Sequence, residues 1–162
     1  MKAIFISFLL ALQMHSFSQM VISQKDFMPI TGKWTGTLTY LDYTSNKTER
    51  IPANALIEFA GENSYDQYLY YTAEPDKNKK FRYTISDDGR MLNEMILVER
   101  KVLDDGNLQL ILESSGVDGN DNKSARFRHI LIIGDKTFSI TKLVRFEGAK
   151  EYFQRHRYVF GR

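Results

Sequence analysis

The chain has 162 residues, a formal net charge of only +2 and no cysteine. This length suits a single domain, which can bury enough surface to fold without a disulfide or a metal. The absence of cysteine excludes thiol catalysis and cysteine-ligated metal sites. The mixed charges lack the large basic face that is typical of nucleic-acid-binding proteins, so no nucleic-acid partner is expected.

The N-terminal residues have the three regions of a secretory signal peptide. Lys2 gives a positive start, residues 3–12 are apolar, and the serines of residues 16–18 supply small side chains before a cleavage site. The apolar run is too short to cross a membrane, which takes about 20 residues, and no later run is longer. We therefore expect a signal peptide at residues 1–18, cleaved near Ser18/Gln19, and export of a soluble protein to the periplasm or the extracellular space with no transmembrane segment.

The rest of the chain alternates between strand-like segments and short polar turns. Residues 19–30 form an N-terminal extension in which only residues 24–30 could make a turn of helix. From residue 31 onward, apolar side chains recur at every second position, as in residues 51–59. The Asp-Asp-Gly triplets at 87–89 and 104–106 are typical hairpin turns. Residues 114–124, rich in Ser, Gly, Asp and Asn, are predicted to be the longest and most flexible loop.

This pattern gives about nine strands and leaves no room for a crossover helix. Neighbouring strands joined by short links pair antiparallel. A long meander leaves two costly edges unless it closes on itself. The predicted fold class is therefore all-β, with residues 31–162 forming a single up-and-down antiparallel β-barrel of about eight or nine strands. A two-sheet β-sandwich is the alternative.

The tripeptide Gly32-Lys33-Trp34, at the head of the first strand, resembles the Gly-x-Trp signature of the lipocalins and the wider calycin superfamily. The resemblance implies that Gly32 and Trp34 lie at one closed end of the barrel, under an arginine from a late strand. Arg157 is the expected arginine, with Arg155 and Arg145 as alternatives. The Thr-Asp-Tyr motif and the usual disulfide of the lipocalins are absent, so the chain is lipocalin-like and no closer.

Projecting alternate residues inward gives an interior rich in aromatic side chains. An apolar interior with tyrosine hydroxyls at its rim suits a lipid-like or aromatic ligand, although the same side chains could simply fill the core. Some polar residues share the inward parity, which suggests a wet cavity or a polar ligand group: Gln67, Asn93, His129, Lys142 and Gln154. The candidate ligand-binding residues are Leu38, Tyr40, Phe59, Tyr71, Tyr83, Met95, Phe127, His129, Ile140 and Tyr158.

No motif predicts catalysis, since a nucleophile elbow, a phosphate loop and a paired acid and base are all lacking. We therefore expect no catalytic residue, no metal and no cofactor, with a haem ligated by His129 or His156 as the alternative. The expected function is that of an exported lipocalin-like protein that holds a small hydrophobic or amphipathic molecule. The alternative is a cell-envelope module with a filled barrel and a protein partner, for which Tyr68, Tyr70 and Ile132 could form an outward apolar patch.

Overall fold

The computed structural model describes residues 20–162, so the predicted signal peptide lies outside the described residues. A single α-helical turn, α1 (Gln24–Phe27), is followed by a 3₁₀ turn at Met28–Ile30, which confirms the helical segment expected there. Ser23 and Asp26 form a capping box, in which the Asp26 carboxylate accepts a hydrogen bond from Ser23 N at 2.8 Å. Within residues 20–162, no helix is long and apolar enough to cross a membrane.

The remainder of the described chain is one antiparallel sheet of eleven strands. The strands are β1 (Gly32–Asp42), β2 (Lys47–Pro52), β3 (Asn54–Gly61), β4 (Ser64–Tyr70), β5 (Lys79–Thr84), β6 (Met91–Leu92), β7 (Met95–Val102), β8 (Leu108–Asp118), β9 (Lys123–Ile133), β10 (Thr137–Phe146) and β11 (Phe153–Gly161). Their order across the sheet is β5-β4-β3-β1-β11-β10-β9-β8-β7-β6, and β2 pairs with β1. All of the pairings are antiparallel, as the short links require.

The predicted count of eight or nine strands was too low for two physical reasons. First, β2 and β3 pair with opposite halves of β1 and are separated only by Ala53, whose N–H donates to Gly36 O at 2.9 Å. Pro52 has no N–H, so the ladder breaks at this point and one bent strand becomes two. Second, residues 91–92 form the short strand β6 instead of belonging to a longer strand.

The sheet is a nearly closed barrel rather than a sandwich. Its two ends meet where Ile85, just after β5, bridges to Leu92 of β6. Asn93 strengthens this contact, because its N–H donates to Thr84 O and its side-chain oxygen accepts from Thr84 N, both at 2.7 Å. Asn93 adopts a φ of 53°, which asparagine tolerates better than most residues. Closure therefore depends on a few hydrogen bonds between residues 84–85 and residues 92–93, a line that we call the seam. β5 and β7, on either side of it, are not paired along their lengths.

One end of the barrel, which we call the closed end, is plugged by aromatic residues and α1. The Trp34 ring packs edge-on against Phe138 at 4.8 Å between centroids, and Trp34 Nε1 donates to Ile30 O at 2.7 Å. The prediction of Arg157 over this ring was wrong. The guanidinium of Arg162 lies 4.2 Å from the Trp34 ring centroid, whereas Arg157 is exposed on the outer face of β11, because strand alternation turns it away from its inward neighbour Tyr158.

The predicted long loop at residues 114–124 was also wrong. β8 and β9 stay paired as far as Asp118 and Lys123, so only residues 119–122 form the turn. Ser114 and Ser115 face the larger Phe127 and Arg126 across the hairpin. A Cβ added at Gly116 would lie 2.9 Å from the ring of Phe127. The small residues at 114–116, which suggested a loop, therefore lie in a paired strand and leave space for the ring of Phe127.

Candidate functional site

A cavity of about 450 Å³ lies at the end of the barrel opposite Trp34, which we call the mouth. Its walls come from the late part of β1, from β2, from the start of β11 and from the connection between β4 and β5. Within that connection, the side-chain oxygen of Asn78 accepts a hydrogen bond from Tyr71 N at 2.8 Å and so joins its two ends. The lining residues are Leu38, Tyr40, Ile51, Tyr71, Glu74, Lys77, Lys79 and Arg155.

Two tyrosines form a polar contact next to this cavity. Tyr71 Oη and Tyr158 Oη are 2.7 Å apart and join the residue that follows β4 to β11. Two hydroxyls that share a single hydrogen bond leave one O–H free to donate elsewhere. Burial raises the pKa of Tyr158 well above its ordinary value, so its hydroxyl stays protonated. The cavity thus has a hydroxyl donor at its inner boundary and apolar side walls.

A group of six residues, which we call the polar cluster, lies beside the cavity: Tyr43, Asp118, His129, Lys142, Arg155 and His156. Adjacent strands bring its members together, because Lys142 of β10 stands opposite His129 of β9 on one side and His156 of β11 on the other. A β-bulge between Lys142 and Leu143 adds one residue to β11, and that extra residue is Arg155. The bulge allows both Arg155 and His156 to join the cluster.

Asp118 is the carboxylate shared by the two cations of the cluster. Lys142 Nζ is 2.7 Å from Asp118 Oδ2, and Arg155 Nε is 3.8 Å from Asp118 Oδ1. Burial alone would raise the pKa of Asp118, but the hydrogen bonds from Lys142 and from Gly119 N hold this pKa below its usual range. Asp118 is therefore ionised at neutral pH, and its side chain is only 12% exposed.

The two cations also contact aromatic rings. Lys142 Nζ lies 4.0 Å from the ring centroid of Phe127, and the Arg155 guanidinium lies 4.1 Å from that of Tyr43. Each contact is a cation–π interaction between a largely buried cation and the face of an aromatic ring. Arg155 also donates a hydrogen bond to Leu41 O. The side chains of Lys142 and Arg155 are 20% and 24% exposed, so both charges are largely removed from solvent.

His129 and His156 are neutral at physiological pH. Burial, and after it the positive charge of Lys142, lower the pKa of each to about 4. A neutral imidazole has one N–H donor and one acceptor nitrogen, so each ring could serve an incoming polar group in either role. Among residues 20–162, the structure contains no group of three or more histidine and acidic side chains placed to hold a metal ion.

Two buried side-chain nitrogens have no hydrogen-bond partner within residues 20–162, namely His129 Nδ1 and Gln67 Nε2. His129 belongs to the polar cluster, and Gln67 faces the barrel interior from β4, whereas the buried hydroxyl of Tyr43 interacts with Asp118. A buried polar group without a partner costs about 1–3 kcal/mol, so native proteins contain few of them. His129 Nδ1 is therefore an atom of the polar cluster with which a polar group from outside the chain could pair.

The predicted ligand-binding residues fall into three groups. Leu38, Tyr40 and Tyr71 line the cavity, and Tyr158 contacts Tyr71. Phe127 and His129 lie at the polar cluster. The other four lie elsewhere: Ile140 packs on the core, Tyr83 stacks on Tyr65 at 4.9 Å, Phe59 is 40% exposed near the end of β3, and Met95 lies in the β6–β7 hairpin.

Sequence reasoning missed Tyr43, Asp118 and Arg155 as site residues. Asp118 was assigned to the loop that is in fact paired strand, and Tyr43 follows the last residue of β1. The inward parity assigned to Gln154 was wrong because the bulge shifts the register, which leaves Gln154 exposed. A run of charged and aromatic residues at positions 152–158, unusual for one strand, is the only signal that could have suggested a bulge here.

No protein-family model matches the chain, and no curated protein matches it. Among solved structures, the crystal structure of Rv2717c from M. tuberculosis is similar, with a TM-score of 0.57 and 14% sequence identity. The match covers 85% of this chain and 95% of that chain. At this level of identity the likeness shows a shared barrel fold, and it does not extend to function.

Proposed function

We propose that this protein is a lipocalin-like binding protein that holds a small hydrophobic or amphipathic molecule at the mouth of its barrel. The observation that carries the proposal is the cavity of about 450 Å³, whose lining joins the apolar side chains of Leu38 and Ile51 to Arg155 of the polar cluster. Ligand sites in proteins have this volume and this combination of apolar walls with a few placed polar groups. Burial of the apolar part of the ligand would supply affinity at about 25 cal/mol per Å².

The depth of the site sets the size of the ligand. The middle and the closed end of the barrel are filled by fully buried side chains, among them Leu110, Leu112 and Phe160. A ligand could not extend to Trp34 without displacing this core, which is packed at a density that resists insertion. We therefore expect a compact ligand, bound near the mouth, rather than a long chain that threads the barrel.

Native mass spectrometry of the protein purified from its own host tests this proposal. A discrete extra mass that disappears on denaturation is the expected result. Leu38→Trp should abolish that mass, because Leu38 lies in the cavity wall and a larger ring would fill the space. Val159→Trp is the matched control, since Val159 is 42% exposed on the outer face of β11. Equal native and denatured masses, with no small molecule retained, would count against a binding function.

We also propose that the protein is exported, on the strength of the predicted signal peptide at residues 1–18. N-terminal sequencing of the protein recovered from the periplasm or the medium should begin near Gln19. Recovery of the full-length chain from the cytoplasm alone would contradict this.

The alternative function is a protein-interaction module. The patch expected from Tyr68, Tyr70 and Ile132 is not continuous, because the first two lie on β4 and the third lies on β9, with four strands between them. A different observation favours a partner: β7 exposes Ile96 and Val98 by 56% and 41% beside the seam of the barrel. If no ligand is found, Ile96→Asp should weaken capture of an envelope partner, whereas the cavity variant Leu38→Trp should not.

A further inference from the structure

The charges around the cavity and the polar cluster are unbalanced. Glu74, Lys77, Lys79 and Arg155 line the cavity, while Lys142 and Asp118 belong to the cluster beside it. Four of these six groups are cations and two are carboxylates. A surplus of positive charge inside a concave surface raises the local concentration of anions and favours their entry. The electrostatics at the mouth therefore select among amphipathic molecules by charge.

Arg155 connects the two features, because it lines the cavity and also belongs to the polar cluster. Its guanidinium has five N–H donors, and within residues 20–162 the hydrogen bond that it makes is to Leu41 O. Asp118 lies 3.8 Å from Arg155 Nε, which is an ion-pair contact beyond hydrogen-bond distance. Most of the donor capacity of a largely buried guanidinium is thus free to meet an acceptor in the cavity.

Within the six-residue cluster the cations outnumber the carboxylates by one, because Lys142 and Arg155 share Asp118 while the two histidines are neutral at physiological pH. Asp42, the last residue of β1, also acts on Arg155, but its oxygens accept hydrogen bonds from Thr44 and Ser45. An anion in the cavity would therefore give Arg155 a hydrogen-bonded counter-charge. His129 adds a buried nitrogen without a partner in residues 20–162. A planar monoanion suits this set, because a guanidinium binds a carboxylate through two parallel hydrogen bonds.

We propose that the ligand is an amphipathic carboxylate, whose anionic group is bound by Arg155 beside the Lys142–Asp118 pair and whose apolar part lies against Leu38, Tyr40 and Ile51. This inference rests on the proposed binding function and names the chemical class of the ligand. It also assigns Asp118 a role, since this carboxylate competes with the ligand for the two cations and so limits the affinity of the site.

Three probes with the same tail and different head groups test the inference: decanoate, decanol and decylamine. Each is titrated calorimetrically into the mature protein at pH 7 after removal of any carried molecule. We expect decanoate to bind at least about tenfold more tightly than decanol, as a charge-assisted hydrogen bond in a half-buried site would give. Decylamine should bind most weakly, because its charge is repelled by the surplus cation.

Substitutions at Arg155 and Asp118 locate the head group. Arg155→Gln should bring decanoate affinity down to that of decanol, and Arg155→Lys should restore part of the difference because it keeps the charge. Arg157→Gln is the matched control, since Arg157 lies two residues away on the outer face of β11. Asp118→Asn should raise decanoate affinity several-fold and leave decanol affinity unchanged, because it removes the competing carboxylate.

The outcomes separate the inference from the proposed function. If decanoate and decanol bind the unmodified protein equally well, the binding function stands and the anion preference is overturned, whether or not the variants fold. If Arg155→Gln folds and keeps the preference, the assigned role of Arg155 is overturned. If none of the three probes binds, and the protein from its host carries no small molecule, the proposed function itself fails.

Discussion

The two partly buried histidines, His129 and His156, should make the barrel sensitive to mild acid. Burial and the Lys142 charge hold the pKa of His129 and of His156 near 4 in the folded state, against about 6.5 in the unfolded chain. A base whose folded pKa is depressed binds fewer protons when folded. The free energy of unfolding therefore falls as pH drops below the unfolded value, and the loss continues until the folded pKa is reached.

The size of this effect follows from the two pKa values. Between pH 7 and pH 5 each histidine favours the unfolded state by about 2 kcal/mol, and the pair therefore by about 4 kcal/mol. The pKa of Asp118 is lowered as well, but its contribution is present above the usual aspartate pKa of about 4 and is lost only below it. The window between pH 7 and pH 5 thus isolates the histidines from the carboxylates of the cluster.

Urea denaturation at pH 7, 6 and 5 measures this loss, with the fluorescence of Trp34 as the probe. Trp34 is the only tryptophan of the chain and is 2% exposed, so unfolding changes its surroundings completely. The variant with both His129→Gln and His156→Gln should lose little stability over the same range, because glutamine does not titrate. Parallel losses in the variant and in the unmodified protein would refute the reasoning.

Three further substitutions test the fold. Arg162→Ala should lower the free energy of unfolding by about 1–2 kcal/mol, because it removes the contact with Trp34 and the hydrogen bonds to backbone carbonyls. The control Arg157→Ala should change it by less than about 0.5 kcal/mol. Equal losses for the two variants in urea denaturation would contradict this. Gly36→Ala should lower the free energy of unfolding by about 3 kcal/mol or more, because the added Cβ would lie 2.3 Å from a carbonyl oxygen of β11. A melting temperature close to that of the unmodified protein would count against this prediction. Asn93→Ala should be about 1 kcal/mol less stable than Asn93→Gly, since only the alanine is strained at a φ of 53°, and equal urea midpoints would be inconsistent with that strain.

The sequence contained enough information to predict the fold class but not the strand count. Alternation and hairpin turns indicate antiparallel strands, and the cost of open edges favours closure. The break at Ala53 depends on how β1 divides its two halves between β2 and β3, which is a tertiary property. Likewise, the pairing of residues 114–118 with β9 depends on Phe127 finding space above Gly116, and local composition does not encode this.

The site was harder to predict than the fold because a single β-bulge changes which side chains of a strand point inward. Parity placed His129 and Lys142 inside correctly, since β9 and β10 are regular across that pairing. On β11 a single bulge reverses the parity, so that Arg155 faces the cavity and Gln154 is exposed. A bulge changes which side chains meet without changing the composition of the strand, and its position is set by both strands of the pair. The key residue of the proposed head-group site was therefore the one that alternation would have turned outward.

The two ends of the barrel differ in what their side chains contribute to the free energy. At the closed end, Trp34, Phe138 and Phe160 are at most 2% exposed and stack on one another, which stabilises the fold by apolar burial. At the mouth, the polar cluster keeps charges and the His129 Nδ1 atom, which has no partner in residues 20–162, away from water, and this costs stability unless a ligand supplies the missing partner. A ligand that binds only the folded state would recover that cost, because binding raises the free energy of unfolding in proportion to the logarithm of ligand concentration over Kd. The barrel should therefore gain stability from a carboxylate ligand at the mouth, and this gain should be absent in Arg155→Gln.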